Sequence, residues 1–225
     1  MNIDDKIPFK IVYEDNHLLV VLKPSGLVTE ADEYHSSGLD TLMKSYIKKR
    51  DAKPAGVFLT PIHRLDKPAS GLVIFAKTSK ALARMHRMMQ ERQIEKTYLA
   101  CLEKAPFFNQ GHLEHYLVQT LHRAEITTPD KGKKADLDYV VCKKTKQGTW
   151  VDIKLQTGRY HQIRAQFAAM GCPILGDNRY GSSVHLPHQA IALCHVKASF
   201  LHPVTGDLVT LEVPYALESM EQELF

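Results

Sequence analysis

Only four cysteines stand in the 225 residues, at Cys101, Cys142, Cys172 and Cys194, and no two form a C-x-x-C pair. That spacing supports neither a zinc knuckle nor a disulfide framework, and it predicts small thiols buried in or beside strands. No apolar run approaches the ~20 residues a membrane-spanning helix needs. Residues 1–6 lack a basic region followed by an apolar stretch, so no secretory signal is read there and a cytoplasmic protein is expected. Neither G-x-G-x-x-G nor G-x-x-x-x-G-K occurs, and strands do not alternate regularly with helices, so nucleotide cofactors have no motif to bind them. Internal repeats, low-complexity segments and flexible linkers are missing too, and residues 1–225 are expected to form one domain. Twelve histidines invite a metal, yet His112 with His115 and His185 with His188 lack the H-E-x-x-H spacing. No cysteine or carboxylate set accompanies either pair at ligand spacing along the chain, so no catalytic metal is expected.

What the sequence does contain is an ordinary globular composition, 44% hydrophobic and 24% charged, long enough for a substantial core. Twenty-nine Lys and Arg against 25 Asp and Glu leave a net charge of +4, which by itself selects no partner. The distribution says more. Lys48-Lys49-Arg50, Lys131-Gly132-Lys133-Lys134 and Lys143-Lys144-Thr145-Lys146 are local basic clusters, each either a phosphate contact or a solvated loop.

Residues 9–14 and 18–23 read as two short strands parted by Asp15-Asn16. Leu39, Leu42, Met43, Tyr46 and Ile47 fall at helical spacing, giving a helix over about 39–50 with a basic end. A strand over 72–76 is followed by a helix that Ser79 would cap and that runs to about Arg92, its methionines read as core filler. Residues 96–103 read as a strand, and 104–134 yield one strand near 113–118. Residues 135–142 and 149–155 pair as antiparallel strands, 160–170 form a helix closed by Gly171, and 190–200 and 208–213 are the last strands. The acidic tail from Ser219 is expected to fray. Many strands and only three helices make an α+β fold.

The densest chemistry lies in His63-Arg64-Leu65-Asp66-Lys67-Pro68-Ala69-Ser70-Gly71-Leu72. Pro68 and Gly71 predict an extended or turning backbone, in which Arg64 and Asp66, two apart, project to one side. Spacing alone leaves two readings, a surface ion pair or a carboxylate displayed at a cleft. This stretch closely resembles the aspartate motif of RluA-type pseudouridine synthases, and further segments follow in family order. Asp15 to Gly26 ends in Lys23-Pro24-Ser25-Gly26, similar to the family's opening strand and Lys-Pro-x-Gly. Lys96-Thr97-Tyr98 resembles its Lys-x-Tyr motif. Thr157-Gly158-Arg159-Tyr160-His161-Gln162-Ile163-Arg164 and Gly171-Cys172-Pro173-Ile174-Leu175-Gly176-Asp177 resemble its third. Together they span about residues 10–215.

The resemblance implies a long mixed, mostly antiparallel sheet flanked by helices and loops, with the active-site cleft across it. It implies an isomerase that turns chosen uridines of ribosomal or transfer RNA into pseudouridine, working without cofactor and as a monomer on an RNA stem-loop. Asp66 would be the nucleophile or base. Tyr98 would stack on the flipped uracil, Ile163 would wall the pocket, and Arg164, projecting from the flank of its helix, would pair with Asp66. Arg64 would fill the gap left in the stack or contact a phosphate. His63, His161 and Gln162 would support the loops. Some relatives carry an added N-terminal RNA-binding domain, and the short stretch before the first motif implies that the catalytic domain captures RNA itself. Tyr160 stands where the family commonly has a small hydroxyl residue, and Leu27 to Glu30 lacks the His or Pro often found there. Three rivals remain: a nucleosidase-like hydrolase, which would want a second carboxylate, a non-catalytic RNA-binding module, and a metal-dependent hydrolase, disfavoured by the histidine spacing.

Overall fold

In the computed structural model, residues 9–214, 216 and 220–222 are described. Their strands join in one mixed, mostly antiparallel sheet, which the helices flank, an α+β fold. In the order in which they pair, the strands begin with β1 (Lys10–Glu14), β2 (Leu18–Lys23), β4 (Ser70–Ala76), β10 (Leu193–Leu201) and β5 (Glu95–Leu102). Then come β9 (Thr149–Leu155), β8 (Lys133–Lys144), β6 (Gln110–Gln119) and β7 (Ala124–Thr127). The short β3 (Thr60–Pro61) adds to β4, and β11 (Leu208–Glu212) adds to β10 beyond the point where β4 leaves it.

The unbroken apolar runs of β2 and β4 have a simple cause: both faces of this part of the sheet are covered. Leu19, Val21, Val73 and Phe75 pack on one side with Leu39, Met43 and Ile47 of α1 (Leu39–Arg50). Leu18, Val20, Leu72, Ile74 and Ala76 pack on the other with Ala81 and Met85 of α2 (Ser79–Gln90). α3 (Gln162–Ala169) adds Ile163 and Phe167 to the first core. Among the described residues no helix is long and apolar enough to cross a membrane.

Several local expectations are corrected. The cap of α2 is Thr78, whose hydroxyl accepts the Ala81 N–H at 3.2 Å; Ser79 is already helical. Residues 104–134 hold two strands, β6 and β7, because polar residues face solvent on a sheet margin with a weak apolar alternation. The last long strand begins at Leu193, since Ala190 to Ala192 is spent on contacts to Pro68 and Leu175. Cys101, Cys172 and Cys194 are buried as expected, but Cys142 is exposed at the bulge between β8 and β9. In the acidic tail, Met220 is buried and Glu221 pairs with Lys143 at 2.8 Å; Ser219 and 223–225 lie outside the described residues.

Two features place the central loop, residues 62–69. Gly71 has φ +119°, and a Cβ there would collide with the backbone of His195, so the close parallel contact of β4 with β10 requires glycine. The fully buried Lys23 sends its Nζ to the carbonyls of Ala69 (2.5 Å), Leu27 (2.8 Å), Pro24 (2.9 Å) and Lys67 (3.3 Å). This one ammonium clamps the loop to the end of β2.

Candidate active site

The loop reaches a cleft of about 1640 Å³ that crosses the sheet over β10, β5, β9, β8 and β6. Small-molecule pockets run to roughly 1,000 Å³, so this cleft suits part of a larger substrate. Leu65 is buried and held to Thr29 by two hydrogen bonds of 3.0 Å, while its neighbours Arg64 and Asp66 both line the cleft. Leu65 lines the cleft as well, but it is buried where Arg64 is exposed and Asp66 half-buried, so these two are the more accessible. An i to i+3 bond, Ala69 N–H to Asp66 C=O at 3.1 Å, closes the turn behind the carboxylate.

Arg164 donates from Nη1 to Asp66 Oδ2 at 2.9 Å, bringing together residues 98 apart in the chain. It does not project from the flank of α3. It is 4% exposed, because it also makes a two-point contact with Asp177: Nε to Oδ2 at 2.7 Å and Nη2 to Oδ1 at 2.9 Å. Its guanidinium lies 5.0 Å over the ring of Tyr180. Burial alone would lower the Arg164 pKa, but Asp177 and Asp66 outweigh it and the net shift is upward. Asp177 belongs to the third motif, yet nothing in linear spacing gave it this role.

His161, expected as a loop support, stands instead at the site itself. Its backbone is left-handed, φ +49°, which turns the ring inward just before α3. Nε2 lies 3.5 Å from Asp66 Oδ2, and Nδ1 lies 3.0 Å from the Tyr180 hydroxyl. Burial pushes its pKa down to about 4, against the pull of Asp66, so the ring is neutral near pH 7. Tyr160, the departure from the family pattern, stacks on it at 3.8 Å and lines the cleft. Gln162 is the support expected of it: Oε1 accepts from Thr157 Oγ1 (2.7 Å) and Arg159 N (3.0 Å), and Nε2 donates to the Asp136 carbonyl (3.0 Å).

Tyr98 and Ile163 complete the floor, 6% and 5% exposed. The Tyr98 ring stacks on His195 at 4.7 Å, and His195 Nδ1 is 2.7 Å from the Leu72 carbonyl. Burial and then Asp66 raise the Tyr98 hydroxyl pKa, keeping it protonated. The hydroxyl makes no hydrogen bond with the described residues. His63 packs edge-on against His195 at 5.2 Å, and its Nε2 lies 3.3 Å from the Ile74 N–H, the supporting place expected for it. Burial also lowers Lys23 to about 7, with Asp66 opposing.

Of the three basic clusters, only the second reaches the cleft, through Lys131 and Lys133. Folding brings Asp136, distant along the chain, to His112 and Glu114, with donor atoms within 4.8 Å of one another. Lys134 Nζ already sits there, 2.8 Å from Glu114 and 3.5 Å from Asp136, so the carboxylates meet a cation of the chain itself.

A mostly antiparallel sheet crossed by a cation-lined cleft, with a carboxylate held by a buried arginine on its floor, defines the class. Residues 17–169 match the family described as RNA pseudouridylate synthase. Over 226 residues the chain is 32% identical to ribosomal large subunit pseudouridine synthase D of Nitrosomonas europaea, covering 93% of this chain and 63% of that protein. It is 32% identical to an uncharacterized RNA pseudouridine synthase of Aquifex aeolicus, covering 93% and 70%. The human RNA pseudouridylate synthase domain containing 4 shares the fold, with a TM-score of 0.76 at 19% identity over 94% of this chain and 92% of that one. The chain belongs to the RNA pseudouridine synthase family, a class of intramolecular isomerases. It spans a little under two thirds of the Nitrosomonas protein.

Proposed function

We propose that this chain isomerises a uridine of structured RNA to pseudouridine, with Asp66 as the carboxylate that acts on the ribose. The observation that carries the reading is the Asp66–Arg164 contact of 2.9 Å at the floor of a cleft too large for a small ligand. The buried guanidinium fixes the position of this carboxylate by a charge-assisted hydrogen bond and leaves its other oxygen free to act. Tyr98 meets the face of the extruded uracil and Ile163 walls its pocket. Arg64, exposed at the cleft, enters the vacated stack or holds a phosphate. The reaction breaks C1′–N1 and makes C1′–C5 with no net oxidation or hydrolysis, so it requires no cofactor. The protein acts as a monomer, in the cytoplasm. Large-subunit ribosomal RNA is the first substrate to try, as the Nitrosomonas relative's name suggests, and transfer RNA the second.

A nucleosidase would want a second carboxylate free to activate water. Asp177 does not offer it: it is 1% exposed and both its oxygens are taken by Arg164. The test is a pseudouridine map of ribosomal and transfer RNA with and without the gene, joined to an assay of purified protein on transcripts of both. Loss of one or a few defined sites supports the reading. Free uracil from the wild type would favour the hydrolase, and RNA binding without turnover the non-catalytic module.

A further inference from the structure

The chemistry proposed for Asp66, Tyr98 and Arg164 leaves one buried cation of the cleft without employment. Lys96 is 9% exposed and lines the cleft, on the same face of β5 as Tyr98, two residues on. Its Nζ makes no hydrogen bond or ion pair with any described residue. In that it differs from the other two buried cations of the site: Lys23 is tied to four carbonyls and Arg164 to two aspartates. Gly158 lies against it, where a Cβ would come to 3.5 Å of Nζ. Its charge helps keep His63 and His195 unprotonated, although burial is the larger cause in both, and burial lowers its own pKa. A desolvated charge with no partner is costly to fold, and such a group in a cleft marks a place where a ligand's opposite charge arrives.

We propose that Lys96 is a further catalytic residue, whose ammonium meets a carbonyl oxygen of the extruded uracil and stabilises the negative charge the base acquires as the glycosidic bond breaks. This rests on the pseudouridine synthase reading. A phosphate is the poorer fit, because the RNA backbone stays toward solvent while the flipped base is what goes deep. When C1′–N1 breaks, its electron pair goes to N1 and the base becomes a uracilate anion, whether Asp66 has bonded to C1′ or removed the 2′ proton. A pair from the base then forms C1′–C5 as the Asp66–C1′ bond breaks, or, on the other route, as the sugar takes its 2′ proton back from Asp66. The C5 proton leaves and N1 takes one up, so atoms and charge balance. The charge on the base exists only after binding, so its stabilisation acts on the chemical step and not on affinity.

The experiment compares wild type with Lys96→Met in single-turnover reactions on ribosomal and transfer RNA transcripts, carrying either uridine or 5-fluorouridine. We expect Lys96→Met to slow uridine conversion by about 10²–10³-fold, the usual loss for one preorganised donor, with RNA affinity changed less than about twofold. Lys96→Arg should recover part of the rate. Fluorine stabilises the departing anion, and because 5-fluorouracil has no C5 proton to lose, that RNA is followed by consumption of its 5-fluorouridine, where the loss should be at least about tenfold smaller. The Lys96→Met protein should melt no lower than wild type, because it sheds an unpaired buried charge. Should Lys96→Met misfold, Lys96→Gln carries the same expectation for rate. Equal losses on the two bases, an unchanged rate, or a loss confined to affinity and its salt dependence would overturn the assignment alone. Wild type that forms no pseudouridine in any transcript would overturn the reading beneath it as well.

Discussion

The cations around the cleft and those along the far edges of the sheet are held in opposite ways. At the edges they meet carboxylates: Arg50 and Lys77 converge on Glu14 at 2.7 Å each, Lys143 meets Glu221 at 2.8 Å, and Lys197 meets Glu212 at 3.1 Å. Facing the cleft, Arg64, Lys131 and Lys133 have no carboxylate among the described residues, and Arg159 and Arg179 donate to the carbonyls of Lys134 and His122. Apart from the buried Arg164, which holds Asp66 and Asp177, these cleft cations keep their charge available to a polyanion.

The sharpest way to break this comparison is at Asp66, the more exposed of the two cleft carboxylates that the buried Arg164 holds. Asp66→Asn should abolish pseudouridine formation and leave RNA affinity nearly unchanged, because phosphate contacts supply most of the affinity. The fold should tolerate it, since Arg164 keeps Asp177. Turnover by this variant above a no-enzyme control would remove Asp66 from its role.

Arg164→Met should cost less activity but more stability, about 3–5 kcal/mol, because two aspartates lose their partner and Asp177 is fully buried. A pair of Asp66 and Arg164 alone would let Asp66→Asn restore that stability. The observed triad points instead to Asp177→Asn as the compensating change. Denaturant melts of both double mutants decide it, and strictly additive losses with Asp177→Asn would count against the triad. Arg164→Lys should recover only part of either loss, lacking the planar fork.

These pairs also mark what was legible in the sequence. The strands around β4 and helices α1, α2 and α3 were readable because apolar periodicity acts over short range, whereas Asp66, Tyr98, Ile163 and Arg164 were singled out by the family resemblance and not by periodicity or spacing. Arg64 and Asp66 are both more accessible than the Leu65 between them, as their spacing implies. What stayed hidden was tertiary. The Arg164–Asp177 contact, the four carbonyls around Lys23 and the approach of His161 to Asp66 depend on loops meeting across the sheet, and Lys96 draws attention only once its burial is seen. Strand β7 escaped for a different reason: Ala124–Thr127 is short and polar, and pairs at a margin where one face stays wet.

A smaller effect should separate the two sets of cations directly. Lys131→Ala with Lys133→Ala should weaken binding to a ribosomal RNA transcript and lower the slope of log K against log salt by roughly 2, one for each phosphate left without its lysine. Lys143→Ala with Lys197→Ala should leave both quantities unchanged, because those ammonium groups are already neutralised. Equal effects of the two pairs would erase the distinction between edge and cleft.

The smallest effect belongs to the edge itself. Arg50, then Lys77, hold the Glu14 carboxyl down to about 2, below its ordinary 4.5, against the opposing influence of burial. A depressed carboxylate contributes stability that is present above the ordinary value and is lost as pH falls through the folded one, so the loss should develop between about pH 5 and pH 2. Water reaches this edge and screens the three charges, which limits the contribution to on the order of 1 kcal/mol. Glu14→Gln should therefore destabilise the protein slightly at pH 7 and not at pH 2, narrowing the gap to wild type across that window. A gap that stays constant with pH would mean that Glu14 matters for its packing rather than its charge. Because the triad of Glu14, Arg50 and Lys77 lies outside the cleft, the same variant should bind RNA as wild type does at pH 7, whatever it does to the acid limb of the stability curve.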